Sequence, residues 1–427
     1  MSVRFILGRA GTGKTRACLN NIREALIEDP SGPPVILLVP DQATFQMEHM
    51  LINMPDLPGF ARAQVLSFKR LAARVLTELG GGGRKHIKEL GKAMALRSLV
   101  QENADSLRLF ASASRQYGFA SCLSSTLKEL SQYNISRLDL ENAMDELERQ
   151  GMGDLPVTLK LHDLIIVAEA YREYLSDRYL DPDEYLTSAA LRISKSRLVR
   201  AATIWVDGFR GFTPQEYSVL GALLVEAEKV NIALLLDPEE ASRPLREIDL
   251  FHPTWETHDY LSKLARELNV EIEPALILDG KGAPKRAPAL CHLEKECASR
   301  PPKPFSGVPH GFKLVAAANP RAETEAVACE ILRLAREDGM RFRDIGVIVP
   351  ALDEYHDLIA PIFKDYGIPC FIDRRRPVSH HPLIELIRSA LEIASYGFRQ
   401  EPVFRYLKTD LIPVGRREVD ILETYVL

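Results

Sequence analysis

The residues best equipped for chemistry stand near the start of the chain. Gly8-Arg9-Ala10-Gly11-Thr12-Gly13-Lys14-Thr15 fits G-x-x-x-x-G-K-(S/T), the phosphate-binding P-loop. The spacing has a physical reason. Glycines let the backbone wrap close around phosphate with its N–H groups toward the oxygens, and a helix N-terminus adds a field that favours anions. Lys14 is then placed to reach the β- and γ-phosphates, and the Thr15 hydroxyl to ligate Mg2+. ATP and Mg2+ are the expected ligands, held by Gly8, Arg9, Ala10, Gly11, Thr12, Gly13, Lys14 and Thr15. A Gly-rich structural turn is the lesser reading, because a strand-like run ends at Leu7 and a helical pattern begins near Gly13.

Hydrolysis makes further demands. A P-loop ATPase needs a carboxylate at the end of a second strand to support Mg2+, and a neighbouring base to activate water. Trp205-Val206-Asp207-Gly208-Phe209 offers Asp207 as the metal-supporting carboxylate beside Thr15. The next residue, Gly208, has no side chain to act as a base, and Glu216 lies nine positions beyond Asp207 with nothing to bring it to a γ-phosphate. Binding with poor turnover is the expectation, and no residue is assigned to catalysis.

These groups need a frame to hold them. Strand Val3–Leu7, helix Lys14 to about Glu28 and strand Val35–Val39 make a βαβ unit, which predicts an α/β fold with a parallel sheet. Gln64–Phe68, Thr203–Val206 and Asn231–Leu236 are further strands. Between them the chain turns rich in Leu, Ala, Glu and Arg, with helical spacings such as Leu123, Leu127, Leu130 and Leu161, Ile165, Ala168. The expected domains are therefore a nucleotide-binding sheet from 1–83 and 198–278, a helical insertion over 84–197, and a Pro- and Gly-bearing linker over 279–311. A second α/β unit over 312–376 is read as strand Lys313–Ala317, helix Glu323–Glu337, strand Ile345–Val349 and helix Tyr355–Tyr366. A helical stretch over 377–427 then looks cut short.

Composition excludes several classes. The 427 residues are 46% hydrophobic and 26% charged, as in a folded globular protein rather than a disordered or collagen-like one. No run of about 18 apolar residues would span a membrane, and the N-terminus lacks a signal-peptide pattern, so a cytoplasmic protein with no membrane partner is expected. The six cysteines are scattered, with no C-x-x-C pair. Cys291 and Cys297 flank His292 without completing a four-ligand zinc set.

The net charge of −5 is not that of a general nucleic-acid binder. Its distribution is more telling. Residues 60–100 hold nine cations (Arg62, Lys69, Arg70, Arg74, Arg84, Lys85, Lys88, Lys92 and Arg97) against Glu78 and Glu89, beside a loop of four glycines, Gly80–Gly83. With Phe68 to stack on bases, Arg62, Lys69, Arg70 and Arg74 would suit single-stranded DNA. A solvated helix face accounts for the same charges equally well. Arg374–Arg376 with His380 and His381 could contact DNA or a partner, though a charged loop before a helix is the simpler reading.

Taken in order, the motifs resemble those of the UvrD/PcrA-like superfamily 1 helicases. Val39-Pro40-Asp41-Gln42-Ala43-Thr44 stands in the place of motif Ia, and Ser67-Phe68-Lys69-Arg70-Leu71 in that of motif Ib. Asp181-Pro182-Asp183-Glu184-Tyr185-Leu186 is similar to the DFDDLL stretch, Val206–Phe212 to VDEFQDT, and Leu236-Asp237-Pro238 to the motif III strand. The departures are Gly208 for the motif II glutamate, no motif III glutamine, and no room before Gly8 for the adenine-reading glutamine motif. GRAGTGKT, VPDQATFQME, VDGFRGFTPQE, AANPRAETEAVACEI and DRRRPVSHHPLIELIRS together resemble the AddB family, the nuclease-bearing subunits of bacterial AddAB helicase–nucleases.

That resemblance implies RecA-like domains 1A (1–83 and 198–278) and 2A (312–376, only its start), with helical insertions 1B (84–197) and 2B (377–427). It implies a non-translocating, helicase-like partner of an AddA-like helicase/nuclease subunit in a heterodimer. The pair would act on double-stranded ends and single strands of DNA in break repair by homologous recombination, with recognition of Chi sequences. The family's 5′–3′ nuclease domain and 4Fe–4S cluster are expected outside this chain. The resemblance tips the basic stretch toward DNA. An autonomous P-loop ATPase or kinase, and a nucleotide-stabilised interaction scaffold, are the competing functions.

Overall fold

The computed structural model describes residues 1–426 apart from 58, 81–84, 115, 117, 177–178, 281–286, 373–377 and 379. The chain forms two compact units, 1–311 and 312–427.

The first unit is built on six strands: β1 Ser2–Gly8, β2 Val35–Leu38, β3 Ala63–Leu66, and, after a short β4 (Lys85–His86) and β5 (Tyr179–Leu180) that pair only with each other, β6 Thr203–Val206, β7 Lys229–Leu235 and β8 Glu271–Ile277. They lie in the order β3-β2-β6-β7-β1-β8 and every pair is parallel. The expected α/β fold with a parallel sheet is therefore the observed one. A parallel sheet must be covered on both faces, and the alternation along its strands shows how. Val3, Phe5, Leu7, Ile36, Leu38, Ile204 and Val206 enter one core, whereas Ile6, Val35, Leu37 and Trp205 enter the other.

Helix α1 (Lys14–Glu28) places Cys18, Leu19, Ile22 and Leu26 on the second core, at the spacing of one helical face, and α2 (Thr44–Ile52) adds Leu51. Helix α3 (Phe68–Glu78) buries Phe68, Leu71, Ala72 and Val75 on the first.

Between α3 and β6 the chain is helical: α4 Glu89–Glu102, α5 Phe110–Ala113, α6 Phe119–Gln132, α7 Arg137–Arg149, α8 Pro156–Ser176 and α9 Tyr185–Ala190. These helices have their own core, including Leu96, Leu99, Phe110, Leu123, Leu164, Val167 and Tyr171. Fully buried Lys92 on α4 is held by Asp181 and, at 2.5 Å, by Asp183. Burial would lower the Lys92 pKa, but the two carboxylates more than offset it and hold the ammonium above its ordinary value. Helix α10 (Pro214–Glu226), which follows β6, reaches the same place. Gln215 Nε2 donates to the Asp183 carbonyl and Thr187 Oγ1, each at 3.0 Å. Helix α11 (His252–Glu267) completes one sheet face, and α12 (Pro288–Glu296) follows β8. The stretch expected to be a linker, 279–311, thus contains a helix. The edge strand β8 escaped the sequence pattern because Pro274 interrupts it, which only an edge or a bulge tolerates.

The second unit comprises α13 Pro320–Arg336, α14 Leu352–Asp365, α15 Pro382–Tyr396, α16 Gln400–Leu407 and α17 Arg416–Val426. Ala328 and Ile331 of α13 pack with Ile359, Ile362 and Phe363 of α14. The two helices expected here are present, but the strands expected at 313–317 and 345–349 are not. Neither segment has a ladder partner among the described residues, and Leu314 and Ile348 are each 96% exposed. A strand requires a neighbour about 4.8 Å away as well as an apolar sequence. Among the described residues no helix is long and apolar enough to cross a membrane.

Candidate functional site

The P-loop joins the C-terminal end of β1 to the first turn of α1. Gly11 and Gly13 take φ of +70° and +98°, the left-handed region in which a side chain is strained. Gly8 is required for another reason: a Cβ there would lie 2.9 Å from the carbonyl oxygen of Leu278. Within the loop, Lys14 Nζ donates to the carbonyls of Gly8 (2.8 Å) and Arg9 (2.9 Å), so its ammonium lies across the mouth of the loop. Burial pulls the Lys14 pKa below its ordinary value, while Asp207, Cys18 and Glu294 act in the opposite sense. Behind it, burial pushes the Cys18 thiol far up, so Cys18 is an inert packing residue.

Asp207 follows the last residue of β6, its N–H donating to the Leu38 carbonyl at 3.0 Å. Only β7 lies between β6 and β1, so the two strand ends are roughly 10 Å apart, a gap that the first turn of α1 closes. Thr15 Oγ1 donates to Asp207 Oδ2 at 2.5 Å. A hydroxyl and a carboxylate this close form the hard oxygen pair that suits hydrated Mg2+.

Gly208 adopts φ +86°, and a Cβ there would lie 3.2 Å from Pro40 Cδ. The missing side chain is thus coupled to a backbone turn that disfavours any other residue. Glu216 is spent on capping α10: it accepts from the Thr213 N–H at 2.8 Å while its own N–H donates to Thr213 Oγ1. The turn after Asp207 leads into an aromatic cluster. Phe209 and Phe212 meet the Phe68 ring edge-on at 5.4 and 5.9 Å between centroids.

Two of the expected DNA residues are engaged within the fold. Phe68 is 3% exposed and its ring serves the core, so it presents no face to a base. Arg62 lies before β3, at the opposite end of the sheet from the P-loop, and its guanidinium donates to the carbonyls of Pro33 and Ala25 at 2.5 Å. It ties the end of α1 to the start of β2. Lys69, Arg70 and Arg74 on α3 are exposed, and Lys69 makes a loose contact of 3.9 Å with Asp41. Gly81–Gly83, Arg84 and Arg374–Arg376 lie outside the described residues. His381 caps α15, its ring Nδ1 accepting from the Leu383 N–H at 3.2 Å.

Sequence reasoning missed the groups that hold Arg9. Its Nη1 donates to Asp237 at 2.8 Å, its Nε to the Glu294 carboxylate at 2.9 Å, and its Nη2 to the Glu294 carbonyl at 2.9 Å. Glu294 is 285 residues away in the chain, and no local pattern announces it.

The family described as ADDB, N-terminal, matches residues 5–294. The chain is 52% identical over 428 residues to the ATP-dependent helicase/deoxyribonuclease B subunit of Desulforudis audaxviator, covering 100% of this chain and 36% of that protein. It is 50% identical to the protein of the same name from Moorella thermoacetica and 40% identical to that from Bacillus cereus, again over 100% of this chain and 37% of each relative. The chain thus spans little more than a third of the length of these relatives. With the match covering the sheet, the helical insertion and the P-loop alike, the chain belongs to the AddB family and corresponds to its N-terminal region.

Proposed function

We propose that this chain is the helicase-like part of one subunit of an ATP-dependent helicase/deoxyribonuclease, a part that binds ATP·Mg and a single strand of DNA without being a translocating motor itself. The observation that carries the nucleotide reading is the pairing of Thr15, in the first turn of α1, with Asp207 at the end of β6, beside a glycine loop closed by Lys14. When bound, Mg2+ would screen phosphate charge; Thr15 and Asp207 are the groups to hold it. The protein's own part is to cradle phosphates with the backbone of residues 8–15 and to fix Lys14 against them. Poor turnover is supported by the left-handed Gly208 and the capping role of Glu216, neither of which supplies a base next to Asp207.

DNA binding rests on the exposed cations Lys69, Arg70 and Arg74, and the family's names support the substrate. The relatives are each named as one subunit of a larger enzyme, which supports an AddA-like helicase/nuclease as the other member of a heterodimer. Processing of double-strand breaks for recombination, with recognition of Chi, belongs to the same reading of the assembly. The 5′–3′ nuclease and the 4Fe–4S cluster have no residues assigned in this chain.

The test is ATP binding and DNA-stimulated hydrolysis by the chain, with Lys14→Ala alongside. Tight binding that Lys14→Ala abolishes, with negligible turnover, is the expected result. Rapid, DNA-stimulated hydrolysis dependent on Lys14 would overturn the reading of Gly208.

A further inference from the structure

Arg9, the second residue of the P-loop, is the most heavily engaged side chain at the site. Besides the bonds to Asp237 and Glu294, its guanidinium carbon sits 5.2 Å from the centre of the Phe251 ring. The three partners come from separate places: Asp237 just beyond β7, Phe251 just before α11, and Glu294 on α12. Apart from Arg9, the contacts of helix α12 run to the segment just after it: His292 Nε2 lies 2.8 Å from the Lys303 carbonyl, the His292 ring lies 5.3 Å from that of Phe305, and Glu296 accepts from the Lys303 N–H at 3.2 Å. Ala289 is its one buried residue, and the rest of the helix is half-buried or exposed. Its seat beside the P-loop is therefore set in large part by Arg9, whose Nε–H is shared between the two Glu294 carboxylate oxygens at 2.9 and 3.2 Å while Nη2 donates to the Glu294 carbonyl, a charge-assisted, partly buried contact.

The charges at this rim are unbalanced. Around the mouth of the loop two cations, Arg9 and Lys14, face three carboxylates, Asp237, Glu294 and Asp207, beside a loop built to receive an anion. A nucleoside triphosphate entering residues 8–15 brings several more negative charges. Either Arg9 turns to the phosphates and leaves Glu294 bare, or Arg9 stays and the phosphates are repelled by Asp237 and Glu294 together. In both cases nucleotide and a seated α12 oppose each other. We propose that Glu294 is a competing carboxylate of the nucleotide site, so that triphosphate binding unseats α12 and a seated α12 weakens triphosphate binding. The coupling is reciprocal by linkage. Helix α12 precedes the second unit in sequence, with residues 297–311 between them. The inference rests on the nucleotide reading above.

The experiment measures ATP·Mg affinity by calorimetry and amide hydrogen exchange over residues 288–296 on the 427-residue chain. In the wild-type protein, ATP·Mg is expected to speed exchange in α12. Glu294→Gln is expected to bind ATP about fivefold or more tightly, with α12 exchange already fast without nucleotide. Lys14→Ala should neither bind nor respond. ATP binding with α12 exchange unchanged or slowed would overturn the inference while leaving the nucleotide reading standing, and that comparison needs no variant. Unaltered affinity in Glu294→Gln would overturn it as well. Absence of any Lys14-dependent binding would overturn both.

Discussion

At Gly208 the lost base and the lost backbone freedom are the same feature. The helicases that this chain resembles place a glutamate after the motif II aspartate, so restoring it looks like a route to turnover. The geometry argues otherwise. A side chain at φ +86° costs about 1–2 kcal/mol, and its Cβ would press on Pro40 Cδ at 3.2 Å. Gly208→Glu is thus expected to lower stability by roughly that amount and to leave ATP hydrolysis at its basal rate. Denaturant unfolding and a steady-state ATPase assay check both halves; a tenfold or greater gain in turnover would refute the argument. Single residues were legible in the sequence where their chemistry is local. The P-loop spends its signal in eight consecutive positions, and Asp207 stands at the end of an apolar run. Glu294 was illegible because its role arises from an approach across most of the chain, and its own neighbourhood reads only as a Pro-rich segment.

Elements were legible where periodicity alone decides them. Helix Lys14–Glu28 and strand Thr203–Val206 fall where the pattern put them: the helix has one face buried on the sheet, and the strand is a short apolar run buried on both faces. Pairing was harder. Residues 313–317 have a strand's composition without a strand's neighbour, and β8 has a neighbour despite Pro274. Charge was harder still, since a basic run does not say which cations face solvent. On α3 the division is clear: Phe68 is core, whereas Lys69, Arg70 and Arg74 are exposed. If these three contact single-stranded DNA, each releases counterions, and the logarithm of affinity falls with the logarithm of salt by about 0.7 per contact. Changing all three to Ala should make that slope shallower by about 2. Arg62→Ala should leave the slope unchanged while loosening the α1–β2 junction, because its guanidinium is spent on two carbonyls. Fluorescence anisotropy across a salt series, with a labelled oligonucleotide, separates the two. Equal slopes for the triple variant and the wild type would remove α3 from the DNA surface.

At the scale of the molecule, the two units are very unequally buried. The first has a core on each face of its sheet and a third among the insertion helices. Among the described residues, the second has one small cluster between α13 and α14, and Leu314, Ile348, Phe371 and Phe398 are each about nine-tenths exposed or more. Buried apolar area is the main favourable term in folding, so the units should melt separately, 312–427 at the lower temperature. Nucleotide adds a means of assigning the transitions. A ligand that binds only the folded first unit stabilises it by about 2.7 kcal/mol at a hundredfold excess over its dissociation constant. It contributes nothing to a unit that does not hold it. Calorimetry of the chain with and without ATP·Mg should therefore show two transitions, with only the upper one moving to higher temperature. In Lys14→Ala neither should move. A single transition that shifts as a whole would mean that the two units unfold as one cooperative body, and that the second draws its stability from the first.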